Sequence, residues 1–231
     1  LLGITFKRFL GYIILCYSNT SEVEMLEIKH VEVHGLYRSI AACRTPMSLG
    51  KIETLDTNES LLAKSRAMNL GKAAAGSGHD NFLKGIIVQF DVKYPQYWTP
   101  EAQRYHWLDI VSSQSKMHRL TTAGNNAEFY EMFNKYVNPE IIAIVRSYCI
   151  LYNGAESAEE KYDWFMKALS NLPMGYEMWE TLSTNYLQLK TIYHQRKNHK
   201  LKEDWGAFIK MCEELPLFLE LIGCSEGFET N

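Results

Sequence analysis

Asn185, Leu189, Ile192, Arg196 and His199 fall on one stripe of a helix, since steps of four, three, four and three return to the same face. Leu189 and Ile192 require a core, which draws Asn185 and Arg196 to its edge, where an amide and a guanidinium must find partners. A guanidinium so placed either snorkels to a carboxylate of its own chain or offers paired N–H donors to the oxygens of a ligand. A second polar group, Ser112-Ser113-Gln114-Ser115, lines up four hydroxyl or amide side chains, as a bend, a functional surface or a plain polar helix face. The loop Gly76-Ser77-Gly78-His79 lets backbone approach a ligand closely, and it is equally the composition of a flexible turn. His30, Glu32 and His34 share the polar side of a strand; three such groups could hold a metal, but no fourth ligand is evident and a solvated face explains them as well.

The elements that must position these groups come from a chain of 231 residues, long enough to bury a full core as one domain. Hydrophobic content of 46%, charged content of 22% and a net charge of −3 exclude a disordered chain and argue against a generic polyanion binder. Any nucleotide recognition must therefore be local. The five cysteines are odd in number, scattered and without a C-x-x-C pair, which favours reduced thiols in a cytoplasm over disulfides or zinc. Lys7 and Arg8 followed by Phe9 to Tyr17 have signal-like composition, but the apolar run is too short to span a bilayer and no membrane partner is expected. The domain is expected over 25–222, with 1–24 an extension or added strand and 223–231 a tail.

Alternation predicts a strand over 26–33, and β-rich composition another over 85–92. Helices are predicted over 37–44, 58–70 with Asn58 as cap and Gly71 as stop, 101–120, 126–135, 139–152, 158–170, 178–199 and 203–214. Strands early and helices late predict an α+β fold, a small and mostly antiparallel sheet from the first half packed with a helical second half.

Several of these pieces, in this order over roughly residues 26–210, resemble the flavin-dependent thymidylate synthases of the ThyX family. Val33-His34-Gly35 leading to Ser39-Ile40-Ala41-Ala42-Cys43-Arg44 is similar to the family's V-x-G-x-x-x-x-A-x-x-A-A-R. His79 stands before a strand ending Val92-Lys93-Tyr94-Pro95, as the family's flavin-contacting His precedes V-K-A-P. Ser112, Gln114 and Arg119 match the first Ser, the Asn and the last Arg of R-H-R-x-x-S-x-N-E-x-S-x-R-Y, while Trp107-Leu108-Asp109 replace R-H-R. Asn185, Leu189, Ile192 and Arg196 fall at the spacings of N-x-x-x-L-x-x-F-x-x-x-R.

The resemblance implies a ThyX-like fold and a homotetramer with sites at subunit interfaces. It also implies methylation of dUMP or a related pyrimidine nucleotide with methylenetetrahydrofolate, FAD and NADPH. It would place Arg119, with Gln114 and Ser112, at the nucleotide and its phosphate, and Arg196 at the uracil edge. His79, Asn185, His199 and Trp107 would face the flavin. Exchanging two arginines for Asp109 would set about 1 kcal/mol or more of repulsion against an anion there. The alternatives are a non-catalytic relative that binds a pyrimidine nucleotide without flavin, and a nucleic-acid or protein-binding module. The last would use Lys190, Arg196, Lys197, Lys200 and Lys202 with Tyr186 and Tyr193.

Overall fold

The computed structural model describes residues 5–9, 12–16, 25–49, 60–74 and 76–224, with side chains described from residue 25 onward except 60–63. Among the described residues, six antiparallel strands form one sheet in the order β1-β2-β3-β4-β6-β5. They are β1 (Thr5–Phe9), β2 (Tyr12–Cys16), β3 (Glu27–His34), β4 (Ile87–Pro95), β5 (Asp109–Ser113) and β6 (Glu177–Asn185). The helices are α1 (Leu36–Ala42), α2 (Ser60–Gly71), α3 (Thr99–Ala102), α4 (Lys116–Ala123), α5 (Pro139–Gly154), α6 (Ala158–Ser170), α7 (Tyr186–Arg196), α8 (Lys202–Glu214) and α9 (Phe218–Ile222). The α+β class with an antiparallel sheet is as expected, but β6 comes from the second half of the chain and lies inside the sheet.

Two expected helices are partly strand. The span 178–199 divides at Asn185: Trp179, Thr181 and Ser183 alternate with the buried Glu180, Leu182 and Thr184, a period of two. Asn185 then accepts the Gln188 N–H at 3.0 Å and caps α7. The span 101–120 breaks into α3, β5 and α4, because Ile110, Val111, Ser112 and Ser113 are poor helix formers and the edge of β6 offers them a ladder. Residues 127–132 form a 3-10 turn rather than an α-helix. The helix over 158–170 is as predicted, started by a capping box of Ser157 and Glu160. Gly71 ends α2 as predicted, at a spot where a Cβ would lie 2.0 Å from the Leu221 carbonyl oxygen. The Asn58 cap lies outside the described residues.

One face of the sheet is covered. Val31, Val33, Val88, Phe90, Val92 and Leu182 point into a core shared with α1, α7 and α8. Trp98, Trp205 and Phe208 pack there with ring centroids 5.1 to 6.2 Å apart. A second, smaller core of Leu120, Phe129, Phe133, Val145, Cys149 and Tyr176 lies under the α5–α6 hairpin. No described helix is long and apolar enough to cross a membrane.

A buried lysine fastens the glycine-rich loop to this frame. Lys190 Nζ on α7 donates to the Gly71 and Ala73 carbonyls, each at 2.7 Å, and lies 2.8 Å from Asp80 Oδ2. The Lys190 and Asp80 side chains are 9% and 3% exposed, so removing either partner strands a buried charge. Lys190→Met is expected to lower unfolding free energy by about 3 kcal/mol, measured by urea denaturation, with a smaller loss in Lys190→Met/Asp80→Asn.

Asp204 on α8 has the opposite character. Burial, aided by Glu203 and Glu101, raises its carboxyl to about 6 against the pull of the Tyr97 hydroxyl. A raised carboxyl binds more protons folded than unfolded, so its stabilising contribution is full below the unfolded pKa, about 3.9, and is lost as pH rises through about 6. Asp204→Asn keeps an acceptor for Tyr97; it is expected to flatten the pH dependence of thermal melting between pH 4 and 6, windows set by those two values, and to raise stability at neutral pH by about 1–3 kcal/mol.

Candidate functional site

The other sheet face is polar. Register places Ser112, Thr181, Asp91 and Lys29 in one row across β5, β6, β4 and β3, and Trp179, Lys93 and Glu27 in the next. Two β-bulges flank the first row. One is at Val111, where β5 gains a residue and presents Ser112 opposite Thr181; the other is at His30–Val31 in β3. Bulges re-aim side chains in this way, often beside functional sites. His30 takes a left-handed backbone, φ 52°, uncommon for a residue with a side chain.

Around this row lies a cleft of about 470 Å³, whose walls include Lys29, His30, Asp91, Ser112, Ser113 and Thr181. His30 Nδ1 is 2.7 Å from Asp91 Oδ2, and Thr181 Oγ1–H donates to Asp91 Oδ1 at 2.6 Å. Burial works to raise the Asp91 carboxyl, but the bonds from Thr181 and His30 outweigh it and hold it below the ordinary carboxylate range. Glu180, at the cleft wall, moves the other way: burial raises it against a hydrogen bond from Tyr94.

A second cleft of similar volume, about 470 Å³, shares Lys29 and Trp179 with the first and is bounded by Lys93, His118, Arg119 and Glu131. Arg119 Nη1 donates to the Glu177 carbonyl at 2.9 Å, and its guanidinium carbon sits 5.6 Å from the Tyr176 ring centroid. Its other nitrogens have no partner among the described residues. Lys29 pairs with Glu27 and Lys93 with Glu177, at 2.8 Å for the latter, while Arg119 has no carboxylate partner among the described residues. Glu128 and Glu131 also line this cleft, so an anion there would be held by directed hydrogen bonds more than by net field. Gln114 zips β5 to β6: its N–H donates to the Trp179 carbonyl and its Oε1 accepts the Trp179 N–H, both at 3.0 Å.

Thus Ser112, Gln114 and Arg119 are brought together around Trp179. Arg196 is elsewhere. It lines neither cleft and is 9% exposed, with Nε donating to Tyr105 Oη at 2.6 Å and Nη1 to Glu101 Oε2 at 2.9 Å. It also lies 4.6 Å from the Trp205 ring centroid. Glu101 Oε2 further accepts the Trp205 indole N–H at 2.9 Å and stands 3.4 Å from His199 Nε2, while His199 Nδ1 accepts the Leu201 N–H. The carboxylate partner of Arg196 is therefore Glu101.

The residues the resemblance would place at a flavin are dispersed. Asn185 is buried and uses its amide oxygen to cap α7. Trp107 is 55% exposed, and its backbone N–H reaches Gln188 Oε1 at 3.4 Å, so the Trp107 backbone and the Asn185 side chain meet through Gln188. His79 is exposed on the loop beside Asp80. The basic segment offered as a nucleic-acid surface is largely internal: Lys190, Tyr186, Tyr193 and Arg196 are all buried. No group of three His, Cys, Asp or Glu among the described residues could hold a metal.

Sequence reasoning missed Lys29, Asp91, Trp179, Thr181 and Glu101. A period-two reading of 177–185 would have placed Trp179 and Thr181 on one open face. The partnership of Glu101 and Arg196, 95 residues apart, leaves no local signal.

No protein-family model and no curated protein matches the sequence. Solved structures match the fold. One is the flavin-dependent thymidylate synthase ThyX from Helicobacter pylori complexed with FAD and dUMP, at a TM-score of 0.61 and 17% identity over 85% of this chain and 96% of that one. A second structure of Thymidylate Synthase X from Helicobacter pylori with FAD and dUMP aligns with a TM-score of 0.59 and 17% identity, over 88% of this chain and 100% of that one. At this identity the likeness establishes a ThyX-like α+β fold.

Proposed function

We propose that the chain is a thymidylate synthase-like protein whose double cleft takes a pyrimidine nucleoside monophosphate, with dUMP the first candidate. The observation that carries this reading is Arg119: a guanidinium fixed by one nitrogen on a backbone carbonyl, its remaining donors unpartnered among the described residues, in a cleft that continues into a row of hydroxyls. Such a guanidinium suits phosphate oxygens through paired bonds, and the adjoining row suits a base and sugar. The fold neighbours carry dUMP, which supports the choice of ligand.

Flavin-dependent methylation of dUMP is the second reading, favoured by the FAD those neighbours also carry. When bound, a flavin would pass on reducing equivalents from NADPH, with methylenetetrahydrofolate as the source of the one-carbon unit. The exposed indole of Trp107 suits a flat ring. The flavin diphosphate does not fit along β5, where Asp109 is the charged side chain and the strand offers no cation. A homotetramer belongs to this reading, and the exposed Ile144, Ile150 and Leu151 of α5 give it an apolar surface.

Arg119→Met is expected to weaken dUMP binding at least about tenfold by titration calorimetry, equivalent to one charge-assisted bond, with little change in melting temperature. Unchanged affinity removes the nucleotide reading from this cleft. Visible absorption of the purified protein, before and after incubation with FAD, separates the two readings: a bound-flavin spectrum selects methylation, and a colourless protein that binds dUMP selects the flavin-free binder. Arg196→Ala is expected to leave dUMP affinity within a factor of about two while lowering stability by about 3 kcal/mol, since it strips a mostly buried carboxylate of its cation. Loss of binding without loss of stability would return Arg196 to the uracil edge.

A further inference from the structure

His30 is held with unusual definition for a side chain that is 77% exposed. Its backbone is left-handed at a bulge, its Nδ1 is fixed on Asp91, and Asp91 is fixed in turn by the Thr181 hydroxyl. An ionised carboxylate only accepts, so in the neutral imidazole the proton must sit on Nδ1. Nε2 is then a bare acceptor, and it has no partner among the described residues. Ser112 lines the same cleft and stands in the same cross-strand row as Thr181 and Asp91.

A fixed acceptor complements one pyrimidine edge in particular. Uracil and thymine present an N3–H donor between two carbonyl oxygens, whereas cytosine presents a bare N3 between a carbonyl and an amino group. We propose that His30 is the specificity-determining residue of the cleft, its Nε2 accepting the N3–H of a uracil-type base. Against cytosine, two lone pairs would face each other, an unpaired polar contact that a site rejects strongly. This inference rests on the nucleotide reading and adds which base is accepted and by what group. The strained bulge then has a purpose, since an extended residue at this position would not be offset from the ladder.

Asp91 also supplies the means of reversing the preference. In Asp91→Asn the amide oxygen can keep the Thr181 hydroxyl while the amide nitrogen donates to His30 Nδ1, which moves the imidazole proton to Nε2 and turns the acceptor into a donor. Titration calorimetry in mildly alkaline buffer is expected to show wild-type protein preferring dUMP over dCMP by about tenfold or more, one hydrogen bond's worth of discrimination. Asp91→Asn is expected to shift that ratio toward dCMP by a similar factor. His30→Asn, which keeps a residue tolerant of left-handed backbone, is expected to abolish discrimination. Nitrogen-15 NMR of the wild-type imidazole should show the Nδ1–H tautomer with or without ligand, and this measurement stands even if Asp91→Asn does not fold. An Nε2–H tautomer overturns the inference. So does a dUMP to dCMP ratio that neither variant moves, and in that case the nucleotide reading survives. Failure of wild-type protein to bind dUMP at all overturns both.

Discussion

The antiparallel pairing of β4 with β6 is the constraint on which the rest of the molecule depends. From Ile87 opposite Asn185 to Pro95 opposite Glu177, the ladder is unbroken. With a side-chain period of two, this register sends Val88, Phe90, Val92 and Leu182 into one core and leaves Asp91, Lys93, Trp179 and Thr181 together on the opposite face. A slip by one residue would exchange the two sets, burying the charges and exposing the core. Hydrophobic burial on one face thereby sets the polar pattern of the other.

Polar groups at the edge of the core divide by whether the fold already satisfies them. Lys190 is saturated by two carbonyls and Asp80, and Arg196 is held by two of its nitrogens, on Glu101 and Tyr105, and by two aromatic faces. Both are buried enough that their bonds hold elements together. Arg119 and His30 are anchored by one atom and leave others unpaired among the described residues, the condition in which a side chain is positioned yet still able to bind. The same residue types thus serve opposite ends according to how many of their donors the chain itself consumes.

The departures from the ThyX-like motif fall on the structure unevenly. Asp109 begins the edge strand β5 at the position of an arginine in that pattern, while Ser112, Gln114 and Arg119 remain gathered about Trp179. The bulge at Val111 lies between these regions, so the strand is re-aimed just where its chemistry changes.

Local pattern was legible in the sequence: the α+β class, β3 and β4, the helices α5, α6 and α8, and the stop at Gly71 all rest on periodicity, caps and glycine, which act over a few residues. The helical stripe of Leu189, Ile192 and Arg196 was legible too, with all three buried. Where helix and strand periodicities compete over a short span, as in 109–113 and 177–185, the outcome turned on a neighbouring strand that propensity cannot see. That Arg196 is the arginine paired with a carboxylate was settled by tertiary structure alone, because Glu101, Tyr105 and Trp205 reach it from distant elements. The cleft itself, a row drawn from four strands and two bulges, exists only once registers are fixed, and register is a property of paired chains rather than of any one segment.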